Sequence, residues 1–248
     1  MILVEACVNS PQSAIEAEKG GAHRVELCDN LYEGGTTPSA ASIVFTRKNI
    51  GIGLNVIIRP RGGDFIYSEL EVDIMLQDIT FCKQAGVDGV VLGALTPEGN
   101  IDIFTTTRLT QAAFPMTVTF HRAFDMVADP YKALNDIILC GCDRILTSGL
   151  QNKAVEGKDM IASLVLQAED RIIIVAGSGV NDQNAASLVQ YTGVKEIHTS
   201  SKSSYPSKMV FRNPVVFMGG ISQIPEYENN RTDALKIKAV VESVKDLG

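Results

Sequence analysis

The chain has 248 residues, 45% of them hydrophobic and 21% charged, with 21 glycines and 9 prolines. This ordinary globular composition excludes a disordered, collagenous or coiled-coil chain, and the length suffices to bury a core without disulfide or metal staples. A net charge of −7 with no basic run argues against nucleic acid or an anionic membrane surface as a partner.

In chain order, the first β-branched run predicts a strand over 2–7. Ser10-Pro11 then sets a cap and a proline at the first position of a helix. Gly20 and Gly21 suit its left-handed end. Strands follow at 24–28 and 53–59. Ser68 and Glu71 form a capping box ahead of the apolar series Val72, Met75, Leu76 and Ile79. Gly86 closes that helix before a strand at 88–93, and another strand lies at 116–121. Asp129-Pro130 repeats the proline start, and Gly141 ends the helix it opens. Strands at 143–147, 171–176 and 195–199 complete a set of eight. A long connection over 200–231 leads to a last helix at about 232–246, which starts at Thr232 and carries Leu235, Ala239 and Val240 on one face.

Strands alternating with helices at intervals of roughly 30 residues imply βαβ units and a parallel sheet. Eight of them in this length predict an α/β fold, a single (β/α)8 TIM barrel spanning 1–248, rather than an open sheet. The first turn, Cys7 to Pro11, holds no glycine, so it lacks the dinucleotide fingerprint and no nucleotide cofactor is expected. The chain shows no secretory signal pattern and no apolar run near the roughly 20 residues of a membrane span. The cysteines, Cys7, Cys28, Cys82, Cys140 and Cys142, follow no disulfide or zinc spacing and suit free thiols in the cytoplasm.

Active sites of such barrels lie at the C-terminal ends of the strands. Glu26, Arg59, Arg61, Asp64, His121, Arg122, Asp125 and His198 collect there, whereas His23 precedes its strand and belongs to the opposite face. Arginine binds carboxylate or phosphate rather than metal, so Arg59 and Arg61, with Asp64 and Arg122, suit a small anion. His121 would be a general acid–base oriented by Asp125 or Glu26. Gly177, Gly179 and Ser200, after the last two strands, suit a phosphate or carboxylate cradle. Alternation places Glu5 with Cys7, and Glu26 with Cys28, on one side of adjacent strands roughly 5 Å apart. Two neighbouring thiolates suit Cu(I). Cys82, Cys140 and Cys142 fall at structural positions.

The stretches EACVNSPQSAIEAEKGGAHRVELCDNLYEGGTTPS (5–39), VIIRPRGGDFIYSELE (56–71), TFHRAFDMVADP (119–130), DRILTSG (143–149), AGSGV (176–180), EIHTSS (196–201), FRNPVVFMGG (211–220) and EYENNRTD (226–233) resemble the CutC copper-homeostasis family. The resemblance implies a (β/α)8 barrel, a cytosolic location, a role in copper handling and Cu(I) ligation by Cys7 and Cys28. The chain departs from the family pattern at Ser178 and at 199–202, within the expected anion cradle. Two functions follow. One is a copper homeostasis protein binding Cu(I) through thiols at the barrel mouth. The other is a lyase, isomerase or hydrolase acting on a small phosphorylated or carboxylated metabolite. Apolar residues at 211–218 offer a surface for a homo-oligomer.

Overall fold

The computed structural model describes residues 1–218 and 224–247. Gly219 and Gly220 of the FRNPVVFMGG stretch, and 219–223 of the long connection, lie outside the described residues. The barrel runs β1 (Leu3–Val8), α1 (Pro11–Lys19), β2 (Arg24–Leu27), α2 (Ala40–Asn49), β3 (Gly53–Ile57), α3 (Glu69–Gln84), β4 (Gly89–Leu92) and α4 (Ile103–Ala113). It continues with β5 (Thr117–Phe120), α5 (Pro130–Leu139), β6 (Arg144–Thr147), α6 (Lys158–Ala168), β7 (Ile173–Ala176), α7 (Ala185–Thr192) and β8 (Glu196–Thr199). After β9 (Lys202–Pro206) and β10 (Glu228–Thr232), α8 (Ala234–Val244) ends the chain. The eight strands β1 to β8 close in sequence order into a parallel barrel, with β1 paired to both β2 and β8. This is the (β/α)8 architecture that the alternation of elements implies.

The helix starts follow the local chemistry. Ser10 caps α1 with Pro11 inside, Asp129 caps α5 with Pro130 inside, and the Ser68–Glu71 capping box is formed at α3. Of the two glycines after α1, Gly21 takes the left-handed conformation (φ +88°), whereas Gly20 stays right-handed. Gly20 serves contact instead: a Cβ there would stand 2.6 Å from the Ala234 carbonyl and the Ile237 Cβ, so its absence lets α8 seat on α1.

The last helix differs from expectation. It begins at Ala234 behind an Asp233 cap, because Thr232 is still paired in β10. Its buried face is Ile237, Val240 and Val244, while Leu235 is 77% exposed. The connection over 200–231 is partly ordered as the antiparallel β9–β10 hairpin. That hairpin lies over the mouth, where Asn9 donates to the Asn230 carbonyl and Ser13 Oγ accepts from Thr232 N–H. Beyond it Val210, Phe211, Val215, Phe217 and Met218 are exposed. No helix among the described residues is long and apolar enough to cross a membrane.

Strand alternation divides the residues cleanly. Val4, Ala6, Val25, Leu27, Leu54 and Val56 join the apolar cluster that runs through the helix layer. Their neighbours Glu5, Cys7, Arg24, Glu26 and Asn55 fill the barrel lumen. Bulky apolar side chains usually occupy that space; here an ionic cluster does. Arg24 donates Nε–H to Glu5 and Nη2 to Glu196 Oε2 at 2.7 Å. Arg144 Nε reaches the same Glu196 oxygen at 3.2 Å, and Asn55 Nδ2 donates to Glu5 Oε2 at 3.2 Å. Burial pushes the Glu5 carboxyl up, but Arg24 and His198 outweigh it and hold the group at about 2.

Replacing Arg24 with Met leaves Glu5 and Glu196 buried without their shared cation. The expected loss of stability is about 3–5 kcal/mol, read from urea unfolding. The Glu5 carboxyl is held below its ordinary 4.5, so its contribution is present above that pH and is lost as pH falls toward about 2. Glu5→Gln therefore flattens the acid limb of the stability curve within that window, as acid titrations followed by circular dichroism would show.

Candidate metal centre

Cys7 is paired in register with Glu26 across β1 and β2, and Cys28 lies two residues further along the same face. The two sulfurs are 3.9 Å apart. Gly35, with φ +96°, leaves space against Cys28: a Cβ there would lie 3.4 Å from its sulfur. From the other side, barrel closure pairs β8 with β1 and sets His198 opposite Glu5. One ligand atom each from Cys7, Glu26 and His198 then falls within 4.8 Å of the others. His198 Nε2 is 3.5 Å from Glu26 Oε2. Gly177 makes room for this ring, since a Cβ there would meet Leu146 at 2.6 Å and the His198 Cβ at 3.2 Å.

His198 Nδ1 lies 2.8 Å from Glu5 Oε1. Glu5 is ionised, so Nδ1 carries the proton and donates to it, and Nε2 is the atom left for the thiol side. A carboxylate behind an imidazole is the arrangement that orients histidine toward a metal. Hydrogen bonding from Cys28 overcomes burial and, with His198, holds the Cys7 thiol down at about 5. The same contact and burial push Cys28 well up. Burial raises the Glu26 carboxyl to about 8 against the pull of His198. Burial alone would lower His198, but its bonds to Cys7 and Glu5 raise it well above its usual range. At neutral pH the cluster therefore holds a Cys7 thiolate and an imidazolium beside an uncharged Cys28 and Glu26. Thiolates with an imidazole are a donor set that suits soft and borderline ions such as Cu(I) or Zn(II), and the sulfurs stand well beyond a disulfide's roughly 2.05 Å.

A cavity of about 280 Å³ extends from the thiols to His121, Arg59, Phe65 and the rim residues Arg122 and Asp125. His121 caps the short 3-10 turn Arg122–Met126, and its Nδ1 accepts the Ala123 N–H at 3.2 Å. Burial and then the Arg59 charge push this imidazole down to about 3, so it is neutral and its proton sits on Nε2. Neither Asp125 nor Glu26 orients it, contrary to the sequence expectation. Asp125 instead accepts from Thr147 Oγ1 at 2.5 Å and from Ser148 N–H at 3.0 Å, and pairs with Arg122 at 2.7 Å. That brace ties the turn after β5 to the end of β6. Arg59 donates to the carbonyls of Glu33, Gly35 and Gly63.

The remaining expected site residues lie apart. Arg61 pairs with Glu71 at 2.5 Å and with Asp64 at 3.0 Å, and none of the three lines the cavity. Gly179 and Ser200 line a separate groove of about 400 Å³ with Lys202 and Lys236, and Ser200 also borders a cavity of about 220 Å³ that reaches Cys7. Asn184 already holds the Asn181 N–H and the Gly179 carbonyl there, each at 2.9 Å. His23 Nδ1 accepts the Val4 N–H on the opposite face, the structural place expected for it. Cys82, Cys140 and Cys142 are buried, and burial raises their thiols. Sequence reasoning passed over Arg24, Glu196, Asn55 and Phe65. For Arg24 and Glu196 the available signal was charge inside strands; Asn55 and Phe65 carry no such mark.

The CutC family profile matches residues 2–203. A CutC family protein of Parabacteroides distasonis is 51% identical over 240 residues, 96% of this chain and 99% of its own length. The copper homeostasis protein cutC homolog of Mus musculus is 44% identical over 245 residues, 99% of this chain and 90% of its own. Among solved structures, a copper homeostasis protein CutC from Streptococcus agalactiae superposes with a TM-score of 0.77 at 38% identity, covering 81% of this chain and 99% of that one. Phosphoribosyl anthranilate isomerase from Thermotoga maritima, at 17% identity and a TM-score of 0.59, shares the barrel alone. With the family profile covering most of the barrel and relatives matching nearly end to end, the chain belongs to the CutC family.

Proposed function

We propose that this protein binds Cu(I) at the barrel mouth through Cys7 and Cys28, with His198 Nε2 as a third donor, and buffers or carries it in the cytoplasm. The observation that carries this reading is the sulfur pair 3.9 Å apart with a histidine held to it by Glu5. The copper homeostasis role named for the mouse relative agrees with it. Free thiols need the reducing compartment that the reading supplies.

The protonation pattern suits cargo that must be taken up and released. Cys7 is a thiolate in the free protein and meets the ion first. Cys28 and His198 Nε2 give up protons as they join it. Glu26 stays protonated below about 8, so the centre does not gather a third negative charge around one monovalent ion. A second reading, turnover of a small phosphorylated or carboxylated metabolite, draws on the same carboxyl. Glu26, not His121, is the cavity group that changes protonation near neutrality and would serve as its general acid–base.

An anaerobic competition titration against a chromophoric Cu(I) chelator gives one tight site in the wild type and none in Cys7→Ser/Cys28→Ser. Binding that survives in the double variant overturns the copper reading. Uptake of each Cu(I) releases at least one proton, so affinity falls as pH is lowered from 8 to 6. Calorimetry in two buffers of different ionisation enthalpy reads that release directly.

A further inference from the structure

Arg59 stands out among the buried cations. It is 4% exposed, yet it makes no ion pair among the described residues. Arg24 and Arg144 are also sheltered, and both have Glu196. The Arg59 head group is held by three carbonyls and by the Phe65 ring, whose centroid is 4.9 Å away. Its Nε–H is buried with no partner in hydrogen-bond geometry, and the Tyr67 hydroxyl, which interacts with this guanidinium, is buried unpartnered as well. His121 Nε2 is also buried without a partner, and its ring centroid lies 5.0 Å from that of Phe65. Since Nδ1 accepts from Ala123, the unpartnered Nε2 is a donor. Two unsatisfied donors and one uncompensated positive charge thus meet at a single aromatic ring beside the cavity. An orphaned buried donor costs free energy that a ligand acceptor would recover.

We propose that the Arg59–Phe65–His121 side of the cavity binds a small monocarboxylate with an apolar body, its two oxygens taking Arg59 Nε–H and His121 Nε2–H. The charge count selects this class. One guanidinium without an anion balances a single negative charge. A phosphate dianion would bring a second charge, and the cavity's other guanidinium, Arg122, is already paired with Asp125. Ile57, Phe65 and Leu146 on its walls suit an apolar remainder. The cavity of about 280 Å³ limits that remainder to a small group. Phe65 packs against both side chains and forms the apolar side of the ligand site.

The inference deepens the second functional reading by naming its ligand class, and it is independent of copper and of turnover. The test is calorimetry and ligand-observed NMR on the metal-free full-length protein, with benzoate, isobutyrate and inorganic phosphate as probes. Benzoate or isobutyrate binds saturably, and phosphate does not. His121→Phe keeps a ring in place but removes the donor, and weakens carboxylate binding by about tenfold or more. The Cys7→Ser/Cys28→Ser variant binds the carboxylate as the wild type does, which separates this site from the thiol centre. Failure of both carboxylates to bind at millimolar concentration overturns the proposal. Unchanged binding in His121→Phe, or phosphate binding as tight as the carboxylates, overturns it equally. Saturable carboxylate binding lost in His121→Phe leaves the site standing whether or not the enzymatic reading holds.

Discussion

A guanidinium shared between two carboxylates inside the barrel sets the terms for everything above it. Arg24 bridges Glu5 of β1 and Glu196 of β8, the two strands whose pairing closes the barrel. Charges so deep in protein are tolerable only when each is paired and hydrogen-bonded. Satisfying Arg24 therefore fixes the position and ionisation of Glu5. Glu5 then has one oxygen for Arg24 and Asn55 and the other for His198. The ring is held in one orientation, with Nδ1 on Glu5 and Nε2 turned toward the thiols. The order of dependence runs upward through the lumen, from floor to mouth.

Above that floor the mouth divides into two electrostatic halves. On the β1, β2 and β8 side, Cys7, Cys28, Glu26 and His198 share protons among themselves. Each group's protonation depends on its neighbours, as the depressed Cys7 and raised Glu26 show. On the β3 and β5 side, Arg59 and His121 do the reverse. Burial and the nearby cation keep His121 neutral, and it titrates nowhere near physiological pH. One half is thus built around exchangeable protons and soft donors, the other around fixed hard donors. A histidine belongs to each half, and their neighbours account for their opposite behaviour: Cys7 and Glu5 raise His198 against its burial, while burial and the Arg59 charge lower His121.

Glycines make this crowding feasible. Gly177 admits His198, Gly93 admits His121, where a Cβ would come within 2.8 Å of the ring, and Gly35 admits Cys28. In each case the backbone of one strand or loop approaches a functional side chain of another element. Such glycines have no local signature. In the sequence they look like turn residues, and only the opposing side chain reveals their purpose. The Gly177–Ser178–Gly179 stretch illustrates this. It resembles a phosphate loop, yet Gly177 packs on His198 while Gly179 borders a different groove.

What the sequence determined by itself was everything governed by local periodicity and end chemistry. The strand and helix alternation, the proline and capping-box starts, and the two-residue spacing that puts Glu5 with Cys7 and Glu26 with Cys28 on one face need no distant partner. These follow from backbone geometry within a few residues. Adjacent strands then bring the two cysteines together. The last helix shows the limit of that logic, because which of its faces is buried depends on where α1 and Gly20 lie, and Leu235 turned out on the solvent side. Tertiary structure alone decided how the polar residues at the strand ends were shared out. Closure of β8 on β1 joins His198 to Glu5 across 193 residues of sequence. Loop carbonyls hold the two Nη groups of Arg59 but not its Nε–H, and salt bridges take Arg61 out of the site. The physical reason is that an ionisable side chain is defined by its partners, and those partners are chosen by barrel register and burial rather than by neighbours along the chain.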